Sequence, residues 1–387
     1  MPAALNRPQP PFPAQAPSSS GAAITSLVLG ILSVAVCLLP LGPIAVVFGH
    51  VGLSKIAKSR GQLTGRGMAI AGLVTGYLAT VVLAGYAALI TYGIKSGMDQ
   101  VGKPDEPFVV PDLSAVTLPD LGGGELIEGT EVKIHDFAAS GSGPAGSTRF
   151  RVLVPAGVHR EYSLPCVLVA PAGSNLLSGM DLDEGDYFDE TLPYAEAGMV
   201  VVSYSIDGPM GEDEDDVGAA YEQFRSAGAG VANGALALRL AREKLPWVDP
   251  EKIFSAGHSS AGTLSLLLAA HLPDLAGAVA YAPACDVAAF HKDLLDEPFS
   301  GLLLPGARVF VQRSSPTMHA ARIKVPVFVF GARDDDKVTS EEWRNFGRAV
   351  TDAGGEAEVK TVATGGHYQS MIDEGIPAGI EWIRARL

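Results

Sequence analysis

The stretch Lys252-Ile-Phe-Ser-Ala-Gly-His-Ser-Ser-Ala-Gly-Thr-Leu-Ser-Leu-Leu-Leu-Ala-Ala270 decides the fold that this sequence predicts. A largely apolar run breaks at Gly257, and apolar residues resume at helical spacing after Gly262, so the pattern predicts a strand, a sharp turn and a helix. Gly257 and Ala261 lie two positions before and two positions after Ser259. A strained turn that lets a strand and a helix approach closely needs small residues at these two positions. The stretch therefore predicts that Ser259 sits in a strand-turn-helix elbow.

A serine in such an elbow has two interpretations. As a nucleophile, Ser259 would have the N-terminal dipole and the free N–H groups of the following helix beside its oxygen, which favours the negative charge of an acyl-transfer intermediate. As a helix N-cap, the Ser-Ser pair would only satisfy backbone donors. If Ser260 were the nucleophile, the bulky His258 would take a position that needs a small residue, so Ser259 is the predicted one. Partners elsewhere in the chain have to decide between the two interpretations.

Strand-like and helix-like runs alternate on both sides of the elbow. Strands are predicted over 130–137, 148–154, 165–170, 199–204, 277–282, 325–330 and 357–362, and helices over 184–197, 217–245, 263–272, 340–353 and 369–386. Strands that alternate with helices predict an α/β fold with a mostly parallel sheet that is covered on both faces. Residues 286–321 have no clear period and are predicted to form an excursion in which a substrate-binding cap could lie.

An acidic run and a histidine follow two of the predicted strands. Asp334 follows the strand over 325–330, and His367 follows the strand over 357–362 after two glycines. The carboxyl ends of strands gather catalytic groups in an open α/β sheet, so both residues are expected at the same edge as Ser259. Asp334 is predicted to orient the histidine, with Asp335 and Asp336 of the same run as alternatives. The order serine, aspartate, histidine is the one expected of an α/β-hydrolase.

Over about residues 126 to 387 the chain resembles the α/β-hydrolase superfamily, and most closely its prolyl oligopeptidase, acyl-peptide hydrolase and dienelactone-hydrolase-like branches. The motifs that carry the resemblance are the elbow, Lys324-Val-Pro-Val327, Gly331-x-x-Asp334 and Gly365-Gly-His367. The resemblance implies a serine hydrolase with an α/β-hydrolase fold. In that fold Ser259 is expected to be the nucleophile, His367 the general base and Asp334 the orienting acid.

The resemblance also implies an oxyanion hole. One donor is expected to be the N–H of Ser260, and the other is expected to come from the loop Ala170-Pro-Ala-Gly-Ser-Asn175, where either Ala172 or Gly173 could supply it. Neither cofactor nor metal is expected. The three cysteines and eight histidines show no zinc spacing, and Asp181-x-Asp183-x-x-Asp186 lacks the closing acid of a calcium loop. Cys166 and Cys285 are predicted to be buried free thiols.

Three functions are compatible with these residues. The leading hypothesis is a membrane-anchored serine hydrolase that cleaves a carboxylic ester through an acyl-enzyme on Ser259. The first alternative is a serine peptidase of the prolyl oligopeptidase-like type, although no propeller domain that would filter peptides precedes the predicted hydrolase. The second is a catalytically inactive binding module with a hydrolase fold. The expected partner is a small-molecule ester or a peptide, and the formal net charge of -15 disfavours nucleic acid.

The N-terminal quarter of the chain predicts a membrane anchor. Residues 1–20 are rich in proline and serine and predict a disordered tail. Two apolar runs, 22–47 and 68–94, are each long enough to cross a bilayer core, which needs about 20 residues. They predict a two-helix transmembrane hairpin within residues 21–95, in which Pro40 and Pro43 kink or end the first helix and leave Ile44 to Ile56 as an interfacial piece. Residues 96–125, rich in proline, aspartate and glycine, predict a linker to a hydrolase domain over 126–387.

The basic residues predict how this hairpin is oriented. Lys55, Lys58, Arg60 and Arg66 lie between the two runs, so the positive-inside rule places that loop in the cytoplasm and the hydrolase domain outside. The hairpin resembles a small two-helix membrane domain of unknown function that is found in many bacterial proteins. That resemblance implies a membrane module and no activity. Together with the two apolar runs it predicts a multi-pass protein of the bacterial inner membrane, held in the lipid bilayer by residues 22–94.

Overall fold

The structure is a computed structural model, and it describes residues 17–35, 38–101, 103–182, 188–210, 217–297 and 304–387. It divides into two compact units, Met1–Gly93 and Ile94–Leu387. The first unit is helical, and the second is built on a large β-sheet.

Three helices and one pair of very short strands form the first unit. They are strand β1 (Ser18–Ser19), helix α1 (Gly21–Ala35), helix α2 (Leu41–Lys58), strand β2 (Leu63–Thr64) and helix α3, which begins in this unit and spans Arg66–Val101. Strand β1 pairs in parallel with β2. Residues 17–20 of the predicted tail are therefore ordered, and residues 1–16 lie outside the described part of the chain.

The predicted two-helix transmembrane hairpin is not confirmed by the structure. The first apolar run divides into α1 and α2 around Pro40, because proline lacks an N–H group and clashes with the preceding helical turn. Pro43 lies in the first turn of α2, where proline is tolerated, and the piece predicted as interfacial lies inside α2. Among the described residues, one helical span is long and apolar enough to cross a membrane, Arg66–Tyr92 with a mean hydropathy of 1.9, whereas Gly21–Val34 is apolar but shorter.

Glycines set the distance between these three helices. A Cβ atom on Gly72 would lie 2.5 Å from the carbonyl carbon of Ser26 in α1, and a Cβ atom on Gly76 would lie 2.9 Å from the carbonyl oxygen of Gly42 in α2. Any larger side chain at these two positions would push the helices apart. The two glycines, which are four residues apart on α3, thus let this helix pack closely on both of its neighbours.

The sheet of the second unit has nine strands. They are β3 (Glu125–Leu126), β4 (Val132–Ala138), β5 (Arg149–Pro155), β6 (Leu164–Val169), β7 (Val200–Tyr204), β8 (Val248–His258), β9 (Gly277–Tyr281), β10 (Val327–Ala332) and β11 (Ala357–Val362). Their spatial order is β11-β10-β9-β8-β6-β7-β5-β4-β3. The pairs from β11 to β7 are parallel, and β5, β4 and β3 continue the sheet antiparallel. The prediction of an α/β fold with a mostly parallel sheet is confirmed.

Helices cover both faces of this sheet. They are α4 (Phe188–Glu196), α5 (Val217–Ser226), α6 (Val231–Lys244), α7 (Ser259–His271), α8 (Val287–Phe290), α9 (Lys292–Asp296), α10 (Ala307–Arg313), α11 (Ser340–Asp352) and α12 (Ile376–Arg384), with a 3-10 segment at Pro316–Arg322 and a π-helical turn at Met371–Gly375. Successive residues of β6 alternate between two cores: Cys166 and Leu168 lie in one, and Val167 and Val169 in the other. The sheet is therefore apolar on both faces, as parallel sheets are.

The helix predicted over 217–245 is two helices in the structure. Gly228, Ala229 and Gly230 have φ angles of +61°, +56° and +87°, which end α5 before α6 begins. Glycine adopts this left-handed conformation easily, whereas alanine does so at a cost. The turn was hidden in the sequence because the residues on either side of it continue an apolar helical pattern.

Part of the segment predicted as a linker packs on the second unit. Phe108, Leu113, Val116 and Leu118 are buried in the larger of the two cores. The Arg239 guanidinium donates hydrogen bonds to the carbonyl oxygens of Leu113 and Val116, at 2.6 and 2.9 Å. This part of the segment is therefore not a free linker, because burial of its apolar side chains stabilises it within the second unit.

Candidate active site

Ser259 lies at the junction of β8 and α7 in a strained backbone conformation. Its φ angle is +52°, which a residue with a Cβ atom adopts at a cost. The small residues around it are required by close packing, since a Cβ atom on Gly257 would lie 2.5 Å from the carbonyl carbon of Ala261. A Cβ atom on Gly262 would lie 2.9 Å from the carbonyl oxygen of Gly257. The structure thus contains the predicted elbow, and the small residues lie where the strand and the helix approach most closely.

A chain of hydrogen bonds joins Ser259 to a histidine and an aspartate. His367 Nε2 lies 2.9 Å from Ser259 Oγ, and His367 Nδ1 lies 2.7 Å from Asp335 Oδ2. A carboxylate accepts a hydrogen bond, so Nδ1 carries the proton and Nε2 is left with its lone pair towards the serine hydroxyl. This tautomer is the one that can take a proton from serine.

The structure corrects the predicted identity of the acid. Asp335, whose side chain is fully buried, contacts the imidazole in place of Asp334. Asp334 instead accepts hydrogen bonds from the backbone N–H groups of Gly365 and Gly366, at 3.3 and 2.9 Å. The side chains of successive residues in a turn point in different directions, so the turn after β10 decides which aspartate reaches the ring. The third residue of the run, Asp336, is exposed beside Lys337, with 3.4 Å between carboxylate and ammonium.

Asp335 is held as a carboxylate by its hydrogen bonds. Burial by itself would raise its pKa, but hydrogen bonds from the His367 ring and from the backbone N–H groups of Val338 and Lys337 outweigh burial and lower the pKa of Asp335. The two backbone bonds measure 3.0 and 2.8 Å. Asp335 therefore stays ionised at neutral pH and can stabilise a protonated imidazole.

The loop predicted to carry an oxyanion donor lies beside the elbow helix. The N–H of Gly173 donates a 3.1 Å hydrogen bond to the hydroxyl of Ser260, which is buried in the first turn of α7. Gly173 has a φ angle of +102°, a conformation that favours glycine. Ala172 is buried next to it. The structure thus brings Ser260 together with the loop that contains Ala172 and Gly173, although these residues are far apart in the chain.

Two contacts of the site were missed by the sequence analysis. His258 is buried, and its Nε2 lies 2.9 Å from the carbonyl oxygen of His367. Glu190 of α4 is also buried, 3.7 Å from the other ring nitrogen of His258. The position of His258 directly before the elbow serine was the one available signal for it. Glu190 had none, because only the folded chain brings α4 to the end of β8.

The excursion over 286–321 contacts the predicted oxyanion loop. His291, between α8 and α9, donates a 2.7 Å hydrogen bond from Nε2 to the carbonyl oxygen of Asn175. Burial lowers the pKa of His291, and the hydrogen bond to Asn175 partly opposes that effect. The ring therefore stays neutral at neutral pH.

A cavity of about 500 Å³ opens at the carboxyl end of β7. Its lining includes Arg149, which forms a 2.9 Å ion pair with Asp181, as well as Asp207 and Glu222. The described residues that line it do not include Ser259 or His367. Asp183 and Asp186 of the incomplete calcium-loop pattern lie outside the described residues.

A histidine between a buried carboxylate and a strained elbow serine, at the carboxyl edge of such a sheet, defines an α/β-hydrolase of the serine hydrolase class. The family model of the prolyl oligopeptidase family matches residues 187–380, and the chain belongs to that family. A second model, of a domain of unknown function (DUF4190), matches residues 22–86. No curated protein sequence matches the chain significantly.

Solved structures of hydrolases share this fold. An acetyl xylan esterase from Paenibacillus sp. R4 aligns with a TM-score of 0.52 and 17% identity, over 77% of this chain and 94% of the esterase. A Mycobacterium tuberculosis puromycin-hydrolyzing peptidase aligns with a TM-score of 0.52 and 16% identity, over 66% of this chain and 46% of the peptidase. An acylaminoacyl peptidase of Pyrococcus horikoshii aligns with a TM-score of 0.51 and 17% identity, over 67% of this chain and 42% of that one. The predicted α/β-hydrolase fold is confirmed, and the chain spans less than half the length of the two peptidases.

Proposed function

We propose that this protein is a membrane-anchored serine hydrolase that cleaves a carboxylic ester through an acyl-enzyme on Ser259. The observation that carries the proposal is the unbroken contact from Asp335 through His367 to the Ser259 hydroxyl, with distances of 2.7 and 2.9 Å. The nucleophile contacts the general base, and the general base contacts the acid that stabilises its protonated form. Asp335 takes the place that the sequence analysis gave to Asp334.

The reaction would begin with a proton transfer. His367 Nε2 takes the proton of Ser259 as its Oγ attacks the ester carbonyl carbon, and Asp335 stabilises the imidazolium that forms. The bond between the acyl carbon and the alcohol oxygen of the ester then breaks, and the imidazolium of His367 gives its proton to that oxygen. The alcohol leaves, and the acyl group stays on Ser259. In the second half, the His367 imidazole takes a proton from a water molecule as the water oxygen attacks the acyl carbon. The bond from that carbon to Ser259 Oγ breaks, the carboxylic acid leaves, and the imidazole returns the proton to Ser259 Oγ.

The oxyanion is expected to lie between the start of α7 and the loop 170–175. The N–H of Ser260 and the dipole of α7 point towards negative charge on the substrate oxygen. The second donor would come from Ala172 or Gly173 of the loop. In the free enzyme the Gly173 N–H already has an acceptor in the Ser260 hydroxyl, and that acceptor would be exchanged for the substrate oxygen if Gly173 is the donor.

A peptidase is the second candidate. The chain belongs to the prolyl oligopeptidase family, and two of the structures with the same fold are named as peptidases. An ester is the favoured substrate because an alcohol is a better leaving group than an amine. Cleavage of an ester therefore depends less on proton donation by the general acid than cleavage of an amide does. Turnover of p-nitrophenyl acetate in the absence of turnover of aminoacyl p-nitroanilides would support the ester, and the reverse result would support the peptide.

Membrane anchoring is part of the proposal. The helices of the first unit expose large apolar side chains, among them Val28, Val47, Val74, Val81 and Leu89. Apolar surface of this kind is stable in lipid and costly in water. We propose that α3 spans the inner membrane of a bacterium, that the basic loop between α2 and α3 is cytoplasmic, and that the hydrolase lies on the outer side. This orientation rests on the loop charges and α3, so it holds whether or not α1 and α2 also cross the bilayer.

A fluorophosphonate probe, which reacts with activated serines, tests the proposal directly. We expect the full-length protein to be labelled on Ser259, and we expect the Ser259→Ala variant to lose both labelling and esterase activity, the latter by a factor on the order of 10³ or more. A matched variant, Ser265→Ala, changes a buried serine of the same helix and should be labelled as the wild type is. Normal activity in Ser259→Ala would show that the proposed function is wrong.

A further inference from the structure

Two buried residues near His367, His258 and Glu190, have no role in the mechanism above. The side chains of His258 and Glu190 are both only 6% exposed. His258 ends β8 directly before Ser259, and Glu190 lies in the first turn of α4. Their closest atoms, His258 Nδ1 and Glu190 Oε1, are 3.7 Å apart. The Glu190 side chain therefore packs against the Nδ1 edge of the His258 ring.

The other nitrogen of His258 contacts the backbone of His367. His258 Nε2 lies 2.9 Å from the His367 carbonyl oxygen, and since a carbonyl can only accept, Nε2 carries the proton and donates. The two imidazole rings are 4.8 Å apart between centroids, and Tyr368 meets the His258 ring edge-on at 5.5 Å. The end of β8, which leads into Ser259, thus also contacts His367, the residue whose imidazole must face Ser259.

The loop that carries His367 depends on contacts of this kind. Gly365 and Gly366 have φ angles of +116° and +61°, and glycine backbone imposes little conformation of its own. Asp334 binds the N–H groups of both glycines, and Ser370 binds their carbonyl oxygens at 3.0 and 2.8 Å. The hydrogen bond from His258 holds the carbonyl of His367 itself.

We propose that Glu190 and His258 form a positioning pair for His367. His258 holds the His367 carbonyl and so keeps the imidazole aimed at Ser259 Oγ, while Glu190 packs against the Nδ1 edge of the His258 ring and limits its rotation. Neither residue touches the reacting atoms. This inference rests on the proposed function. Misplacing a catalytic group by about 1 Å can lower a rate by roughly 10²-fold, so the contact matters even though it is remote from substrate.

Substitutions in the full-length protein in detergent, assayed with p-nitrophenyl acetate, test the pair. His258→Leu keeps apolar bulk but removes the donor, and we expect kcat to fall roughly 10- to 100-fold with KM unchanged within about 3-fold. His258→Gln restores an N–H donor and should recover most of kcat. Glu190→Ala removes the side chain that packs against His258 and should lower kcat several-fold, again without a change in KM.

The control is His319→Gln. His319 is also buried, and its Nε2 lies 2.7 Å from a backbone carbonyl, that of Arg313. Its ring packs against Phe108 and His271, away from the site. We expect this variant to keep wild-type kcat. A purely structural role for His258 would lower the amount of folded enzyme equally in the Leu and Gln variants, so recovery by Gln separates positioning from folding.

Three outcomes decide the matter. Wild-type kcat in His258→Leu, or an equal loss in the Leu and Gln variants, would overturn the positioning pair. If His258→Leu does not fold, unchanged kcat in Glu190→Ala overturns the pair. A several-fold loss in Glu190→Ala, with near-normal kcat in His258→Gln, supports it. Fluorophosphonate labelling distinguishes this proposal from the proposed function. If the wild type is not labelled on Ser259, the proposed function is wrong. If the wild type is labelled and Ser259→Ala is not, the kcat values above test the positioning pair alone.

Discussion

At the scale of the residue, three consecutive aspartates have three different surroundings. Asp334 holds the backbone of the His367 loop, Asp335 holds the imidazole and Asp336 faces solvent. We expect Asp335→Asn to lower kcat by a factor on the order of 10³ to 10⁴, because an amide in place of the carboxylate stabilises the wrong tautomer of His367. Asp334→Asn should cost about 10-fold or less, since it loosens the loop without changing the ring's proton.

Asp336→Asn is the matched control for this series and should keep wild-type kcat with p-nitrophenyl acetate. A larger loss in the Asp334 variant than in the Asp335 variant would mean that the acid of the sequence prediction acts in solution. The sequence could predict the acidic run but could not choose within it. The choice depends on the direction of one side chain after β10, and no local pattern records that direction.

At the scale of the element, the elbow was predictable because its packing rule is local. Gly257 and Ala261 lie within five residues of each other, and the small size that each needs is visible in the sequence. The contact of His258 with the His367 carbonyl was not predictable, because it joins residues 109 positions apart. The break between α5 and α6 was missed for another reason: the apolar pattern continues through residues whose φ angles end the helix.

The elbow supplies a prediction for Gly257→Ala. The new Cβ atom would lie 2.5 Å from the backbone carbonyl carbon of Ala261, and backbone cannot yield as a flexible side chain does. We expect a loss of about 1 to 3 kcal/mol in the free energy of unfolding, as in other overpacked sites, together with slower labelling of Ser259 by fluorophosphonate. The measurements are the thermal unfolding midpoint and the labelling rate.

Gly123→Ala is the control for that experiment, since a Cβ atom there meets nothing within 4 Å and its φ is not in the left-handed region. It should leave both measurements unchanged. If Gly257→Ala unfolds and reacts as the wild type does, β8 and α7 can separate without cost and the close approach is not needed for the nucleophile.

At the scale of the whole molecule, the segment after α3 is held within the second unit by a half-buried histidine. His271, at the end of α7, accepts a hydrogen bond from the N–H of Phe108 on Nε2 at 3.0 Å, and its Nδ1–H donates to the carbonyl of Leu267 at 2.7 Å. His319 packs against the same ring, with centroids 5.0 Å apart. Both nitrogens of His271 are thus engaged in the neutral ring, and protonation would remove the acceptor that Phe108 needs.

This arrangement makes folding stability depend on pH. Burial lowers the pKa of His271 to about 4, against an ordinary value of about 6.5, and the hydrogen bond to Leu267 only partly opposes burial. Between these two values the unfolded chain binds a proton that the folded chain does not. The stabilisation by neutral His271 is therefore complete above about pH 6.5 and is lost as the pH falls towards 4, by about 3 kcal/mol in total.

Denaturant unfolding of the full-length protein in detergent at several pH values measures this loss. We expect His271→Gln, which can still accept from Phe108 and cannot be protonated in this range, to flatten the dependence between pH 6.5 and 4. His135→Gln, which changes a histidine near the surface of β4, should keep the wild-type slope. Equal slopes in all three proteins would show that His271 takes up no proton on unfolding, and that the contact with Phe108 does not couple the segment after α3 to the stability of the hydrolase.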